Sequence, residues 1–298
     1  MTGLDAHLQG WDPGELTDVD PLPAERAAAL AAVLETPARL TPARLTPAPS
    51  NPEQSGSGGA LPPLWHWAFF QEWPRHGELG RDGHPTEGHF LPPVPDRRRM
   101  FAGGRLTAHR PLELDRPAER TRSLANVSIK TGRSGEMAFV TVRSVFVQDG
   151  RTCLTEEHDY VYRSGESTAK SPEAARPQEL PTSAAPWQQP FTGDAVRLFR
   201  YSALTANSHR IHYDAPYARE VESYPDLVVH GPLLVLLLSE LGRANSVRRV
   251  STVDYRLRRP VFAGDPVLLT GTPDEGEAGM AALNGEGAVM AEATLGLT

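Results

Sequence analysis

The stretch "RYSALTANSHRIHYD", residues 200–214, gathers an amide, two imidazoles and a carboxylate between apolar flanks. His212 titrates near neutrality and can both take and return a proton. Asn207, five residues earlier, cannot titrate, but its amide can fix a water or a substrate oxygen. His209 shares a face with Asn207 if the segment is extended, and His212 joins them only if the chain turns in between. The same spacing suits a polar strand end and loop, so both readings stand at this point.

A second feature supports the chemical reading. "VVHGPLL", residues 228–234, places His230, Gly231 and Pro232 where a long apolar helix should begin. Pro232 fits a first helical turn, where its missing amide proton is not needed. Gly231 has no side chain to keep a ligand from its backbone N–H, and a free amide at a helix start favours negative charge developing on a carbonyl oxygen. A tight entry turn is the alternative use of that glycine. A proton carrier and an oxyanion donor together fit thioester enolate chemistry.

The elements that must position these residues follow from pattern. "PLPAERAAALAAVLE" (21–35) reads as a short helix. Residues 36–60 carry "ARLTP" twice and are rich in Pro, Ser and Gly, a linker composition. Residues 123–163 alternate β-branched and polar residues between the turns "TGRSG" and "QDG", a meander of three antiparallel strands. Residues 164–186 again lose apolar content and read as an interdomain linker. "AVRLFRYSAL" is expected as a strand, "DAPYAREVE" as a short helix capped by Asp214, and Pro232–Arg243 as the central helix. Glycine-separated strands follow to the C-terminus. The boundaries are therefore 1–60 for an N-terminal helix and flexible segment, 61–163 for a first β-rich half, 164–186 for the linker and 187–298 for the second half. The helix of the first half is less obvious; "LWHWAFFQEW" and the segment Arg97–Arg105 are its candidates.

Composition excludes several classes. The 298 residues, 39% hydrophobic and 22% charged, suit an ordinary globular protein, and the formal charge of -7 argues against a nucleic-acid partner. One cysteine, Cys153, permits no disulfide framework and no multi-cysteine zinc site. The scattered histidines of "GRDGHPTEGHF" form no metal pattern, and no metal or cofactor is expected. The first residues lack the features of a secretory signal, and the apolar run Leu233–Leu238 is too short to span a bilayer. A cytoplasmic protein with no membrane partner is expected.

"RYSALTANSHRIHYD", "DLVVHGPLLVLLL" and "YRLRRPVFAGDPV" in the second half, with "LPPLWHWAFF", "MFAGGRL" and "IKTGRSGEMAFVTVR" in the first, resemble the MaoC-like enoyl-thioester hydratase/dehydratase family. The branch resembled holds the mesaconyl-C(4)-CoA hydratases and the type 2 hydroxyacyl-thioester dehydratases. The resemblance implies an α+β double hot-dog, each half an antiparallel sheet wrapped around a helix, the N-terminal copy degenerate and the C-terminal one catalytic. It implies a hydro-lyase acting on an α,β-unsaturated acyl thioester, whose carrier, coenzyme A or acyl-carrier protein, belongs to the substrate. In the family motif an Asp precedes an Asn by two positions and a His by five; here Asn207, His209 and His212 stand there. His212 is kept and the acid is an amide. The resemblance thus makes His212 the proton carrier, Asn207 the water-orienting group and Gly231 the oxyanion donor. His209, Asp214 and His230 join the candidate substrate-binding residues, although a helix cap is the stronger reading for Asp214.

Arg256 and Arg258, within a basic stretch of an acidic chain, are candidates for the phosphates of such a carrier, or else a solvated strand face. Trp65, Trp67, Phe69, Phe70 and Trp73 are read as core before acyl pocket, and "DRRRMFAGGRL" as lying near the acyl end or the domain interface. Pairing of sheet edges implies a pseudo-dimer within the chain and a homodimer beyond it. Competing with mesaconyl-C(4)-CoA hydration are 3-hydroxyacyl-thioester dehydration in fatty-acid or polyketide synthesis, a catalytically silent thioester-binding protein, and a thioesterase using Asp214 or Glu220.

Overall fold

A computed structural model of the chain describes residues 3–35, 59–95, 97–132, 135–164 and 179–298. Most of the two linkers read from sequence, 36–58 and 165–178, lies outside the described residues. The first half runs α1 (Leu4–Leu8), β1 (Leu16–Asp20), α2 (Ala24–Leu34), β2 (Ala60–Leu61), β3 (Arg97–Ala108), β4 (Leu112–Glu113), β5 (Ala118–Gly132), β6 (Gly135–Gln148) and β7 (Arg151–Ser164). Two 3-10 turns, Trp65–Ala68 and His76–Glu78, lie between β2 and β3. The second half runs β8 (Trp187–Thr192), α3 (Ala195–Leu204), a 3-10 turn Arg210–His212, α4 (Ala215–Glu220), α5 (Gly231–Asn245), β9 (Val250–Leu257), β10 (Pro266–Asp274), β11 (Glu277–Asn284) and β12 (Val289–Leu297).

Ten strands form one antiparallel sheet, in the order β1-β5-β6-β7-β3-β9-β12-β11-β10-β8. With the short β2–β4 pair set aside, each half shows one order: its first, third, fourth, fifth and second strands in turn. The second strands meet at the centre, where Gly103 stands opposite Arg256 and Thr107 opposite Thr252. "DRRRMFAGGRL" is therefore at the interface of the halves, and the pseudo-dimer is present within the chain. The N-terminal segment is part of the first half, since β1 pairs with β5 from Leu16↔Arg122 to Asp20↔Ala118.

The meander at 123–163 is β5, β6 and β7, as its alternation predicts. In the second half the sheet wraps α5, whose residues Leu233 to Gly242 are all buried. A helix apolar on every side has nowhere stable to be except inside. The first half has no such helix among its described residues. The turn Trp65–Ala68 fills the place: the Trp67 indole donates to Glu156 on β7 at 2.7 Å, and His66 meets Phe146 on β6 edge-on, centroids 4.8 Å apart. Arg97–Arg105, the other helix candidate, belongs to β3. Two strand partners decide that segment, β7 on one side and β9 on the other, with Gly103 and Gly104 letting the neighbouring backbones approach.

Two further expectations are corrected. "AVRLFRYSAL" is the helix α3, because Asp194 caps it by accepting the Arg197 amide at 2.9 Å and Leu198, Tyr201 and Ser202 share its buried face. Of the aromatic set, Trp65, Phe69 and Phe70 are core and Trp67 packs against it, whereas Trp73 is 74% exposed.

Candidate active site

Between α3 and α5 the chain folds back on itself and brings separated residues together. After Ala206, held at a positive φ, Asn207 accepts the His209 amide at 3.1 Å, and the 3-10 turn Arg210–His212 follows. The segment is turned and not extended. The extended run entering α5 then clamps the turn: the Val228 amide donates to Ile211 O at 2.9 Å, and Val228 O lies 2.7 Å from His212 Nδ1. A carbonyl can only accept, so Nδ1 carries the hydrogen and Nε2 is left with its lone pair. Burial pushes the His212 pKa down to about 4, against the pull of the Val228 carbonyl, and His84 adds to the depression. The ring is neutral at pH 7, the state in which it serves as a base.

The same run supplies the backing and the amide. His230 stacks on His212, centroids 3.7 Å apart at 17°, while its Nε2 lies 2.9 Å from Ser202 Oγ on α3. It is 1% exposed, so the ring expected from sequence to touch substrate is instead buried against His212 and Ser202. Gly231 opens α5, where the first amides have no helical acceptor. A Cβ at Gly231 would meet the end of the Leu257 side chain, which would have to shift. Asp214 is fully engaged: it caps α4 through the Tyr217 amide at 3.1 Å and pairs with Arg210 at 2.7 Å. Its carboxyl is held below the usual range by Arg210.

Arg256 and Arg258 are exposed on and just beyond β9. Arg258 pairs with Glu292, and Arg256 lines an open depression of about 340 Å³ that also holds Asp254 and Glu292. No hydrogen bond, ion pair or ring contact among the described residues links either arginine to the histidines.

The first half contributes two residues the sequence did not single out. The loop around Gly83 docks on the turn before His212: Ser208 Oγ donates to Gly83 O at 2.6 Å, and the Arg210 amide donates to Asp82 O at 2.9 Å. Gly83 has φ +89°, and a Cβ there would strike the Ser208 carbonyl. His84 consequently lies against His209, centroids 4.0 Å apart, and His209 is 5.6 Å from His212. Asp82 receives the His84 amide on Oδ1 at 3.0 Å and its Nδ1 on Oδ2 at 2.9 Å. Donor atoms of Asp82, His84 and His209 fall within 4.8 Å of one another. With both carboxylate oxygens already used by His84, the arrangement is a hydrogen-bonded pair beside a packed ring. The sequence signal was the Asp-Gly-His turn itself; nothing in it reveals a partner 125 residues away.

The architecture is the double hot-dog of MaoC-like dehydratases. A MaoC-like dehydratase from Phytophthora capsici superposes with a TM-score of 0.67 at 15% identity, covering 100% of this chain and 98% of that one, a likeness of fold. Residues 64–263 match the hydroxyacyl-thioester dehydratase type 2 family, and the chain belongs to that family of hydro-lyases. It is 43% identical over 237 residues to the mesaconyl-C(4)-CoA hydratase of Chloroflexus aurantiacus, covering 80% of this chain and 84% of the relative. The mitochondrial type 2 hydroxyacyl-thioester dehydratase of Schizosaccharomyces pombe is 28% identical, over 70% of this chain and 77% of that protein.

Proposed function

We propose that the chain adds water reversibly to a short, branched enoyl-CoA, mesaconyl-C(4)-CoA or a close analogue. The observation that carries this reading is the His212 ring: neutral, fixed by Val228 with Nε2 free, its anchor three positions before the Gly231 amide. In hydration His212 Nε2 takes a proton from water as the oxygen bonds to the β-carbon. The thioester oxygen gains charge and is held by the Gly231 amide, and protonation of the α-carbon completes the addition. An oxyanion donor of this kind is worth about 3 kcal/mol, or roughly a hundredfold in rate. Asn207, its oxygen occupied by the His209 amide, orients the water through its nitrogen. The chemistry requires no metal or organic cofactor.

The dehydration of a 3-hydroxyacyl thioester is the same reaction reversed, and the family match supports it as the second reading. The carrier is then coenzyme A or a carrier protein. We further take the enzyme to be a cytoplasmic homodimer; the free sheet ends β1 and β8 support the dimer, and no described helix is long and apolar enough to cross a membrane. Ultraviolet absorbance at the enoyl-thioester band tests the reaction, with wild type and His212→Ala given mesaconyl-C(4)-CoA and crotonyl-CoA. The band should fall with wild type and persist with the variant. Release of free thiol would identify a thioesterase, and unchanged esters with wild type would leave a silent binding protein.

A further inference from the structure

The motif position occupied by Asn207 cannot hold charge, yet the site contains a carboxylate, delivered by the other half of the chain. Asp82 and His84 form a carboxylate–imidazole pair at 2.9 Å, and a glycine-dependent backbone contact fixes their loop against the turn that carries His212. The ionised carboxylate can only accept, so His84, like His212, carries hydrogen on Nδ1 and offers Nε2. We propose that His84, backed by Asp82, is a second proton carrier of the reaction, working with His212 on the bound acyl thioester. The proposal rests on the hydratase reading given above.

The division of labour follows from the neighbours of each ring. His209 is driven down to about 2 by burial and by His84 and His212, and His212 to about 4 by burial. His84 is also lowered by burial, with Arg99 adding to this; Asp82 and Glu222 oppose it. Asp82 itself ionises at about 2, its burial overcome by the two His84 hydrogen bonds and the facing histidines. A proton added to this cluster therefore rests on His84, the one ring with a carboxylate on its Nδ1.

In hydration, His212 takes a proton from water as the oxygen–β-carbon bond forms, and the double-bond pair moves toward the α-carbon and thioester oxygen. His84, protonated on Nε2, gives that proton to the α-carbon. One proton has been taken and one given, the product is the hydroxyacyl thioester, and the charge now sits on His212. The proton returns to His84 by exchange with solvent before the next turnover.

Activity then requires His212 neutral and His84 charged. The rate rises with pH through the His212 pKa and falls as pH rises through that of His84. Removing the Asp82 charge lowers the His84 pKa further and moves the falling limb to lower pH.

Hydration of mesaconyl-C(4)-CoA by wild type, His84→Gln and Asp82→Asn, followed between about pH 5 and 9, provides the test. His84→Gln should lower kcat about 100-fold with KM within a few-fold. Asp82→Asn should shift the falling limb downward. In deuterium oxide, wild type given the hydroxyacyl product should exchange its α-hydrogen faster than it interconverts product and enoyl thioester, and His84→Gln should lose that excess. A His84→Gln enzyme with wild-type kcat, or one whose exchange falls only in step with turnover, overturns the proposal. Should that variant fail to fold by thermal melting, Asp82→Asn decides: an unmoved limb overturns it. Wild type inert to every enoyl thioester sinks the hydratase reading instead.

Discussion

The two halves share one strand order and differ in what fills the sheet. The second half holds a fifteen-residue helix, and the first a four-residue turn of aromatics. Both fillings bury a large apolar layer, so either satisfies the fold. Only a helix brings a row of unbonded amides to one point, and the Gly231 amide lies at such a point. Where the second half buries neutral histidines, the first buries charge: Glu156 accepts from Trp67 and lies 3.1 Å from His66 and 3.2 Å from His158. Both histidine contacts fall short of hydrogen-bond alignment. Burial opposes ionisation of Glu156, but the two histidines and their hydrogen-bonding capacity pull its carboxyl well below the usual range.

Three substitutions sharpen this contrast. Leu236→Ala, in the middle of α5 and fully buried, should cost about 2–5 kcal/mol in urea unfolding, the sheet being unable to close on the cavity. A loss below 1 kcal/mol would mean that the helix is dispensable, as it is in the first half. Glu156→Gln should cost about 1–3 kcal/mol at neutral pH while leaving kcat/KM for mesaconyl-C(4)-CoA unchanged. The folded carboxyl titrates below its ordinary value of 4.5, so its contribution is present above that pH and is lost as pH falls. Melts of wild type and variant should accordingly converge in acid; parallel curves would deny Glu156 its depressed pKa. The smallest effect is expected for Arg258→Gln, whose ion pair with Glu292 is half exposed, at under about 1 kcal/mol. Should KM for coenzyme A esters rise markedly in the same variant, the phosphate role expected from sequence is restored to that face of the sheet.

Much of the second half was legible because its signals are local. The all-apolar run after Pro232 had to be an interior helix, Asp214 followed by Ala-Pro had to be a helix start, and glycine turns separated the strands. The meander of the first half was legible for the same reason. In α3 the pattern misled: Val196 and Phe199, both exposed, mimic strand alternation alongside Leu198 and Tyr201, and the Asp194 cap decides for the helix. His212 could be nominated from its neighbours in sequence. Its tautomer could not, since that depends on a carbonyl sixteen residues on. Asp82 and His84 showed only as a turn, because their meeting with the His212 segment depends on how the two halves face each other, through β3 with β9 and the Gly83–Ser208 contact.

That central pairing has a further consequence for how the enzyme behaves in dilute solution. A loop borrowed from a separate subunit would leave the site whenever the subunits part. Here lender and borrower are one polypeptide, so the loop carrying His84 meets the His212 turn at an effective concentration set by the chain, on the order of millimolar for short tethers. Turnover per chain should therefore stay constant on dilution, whatever larger assembly the protein forms or loses.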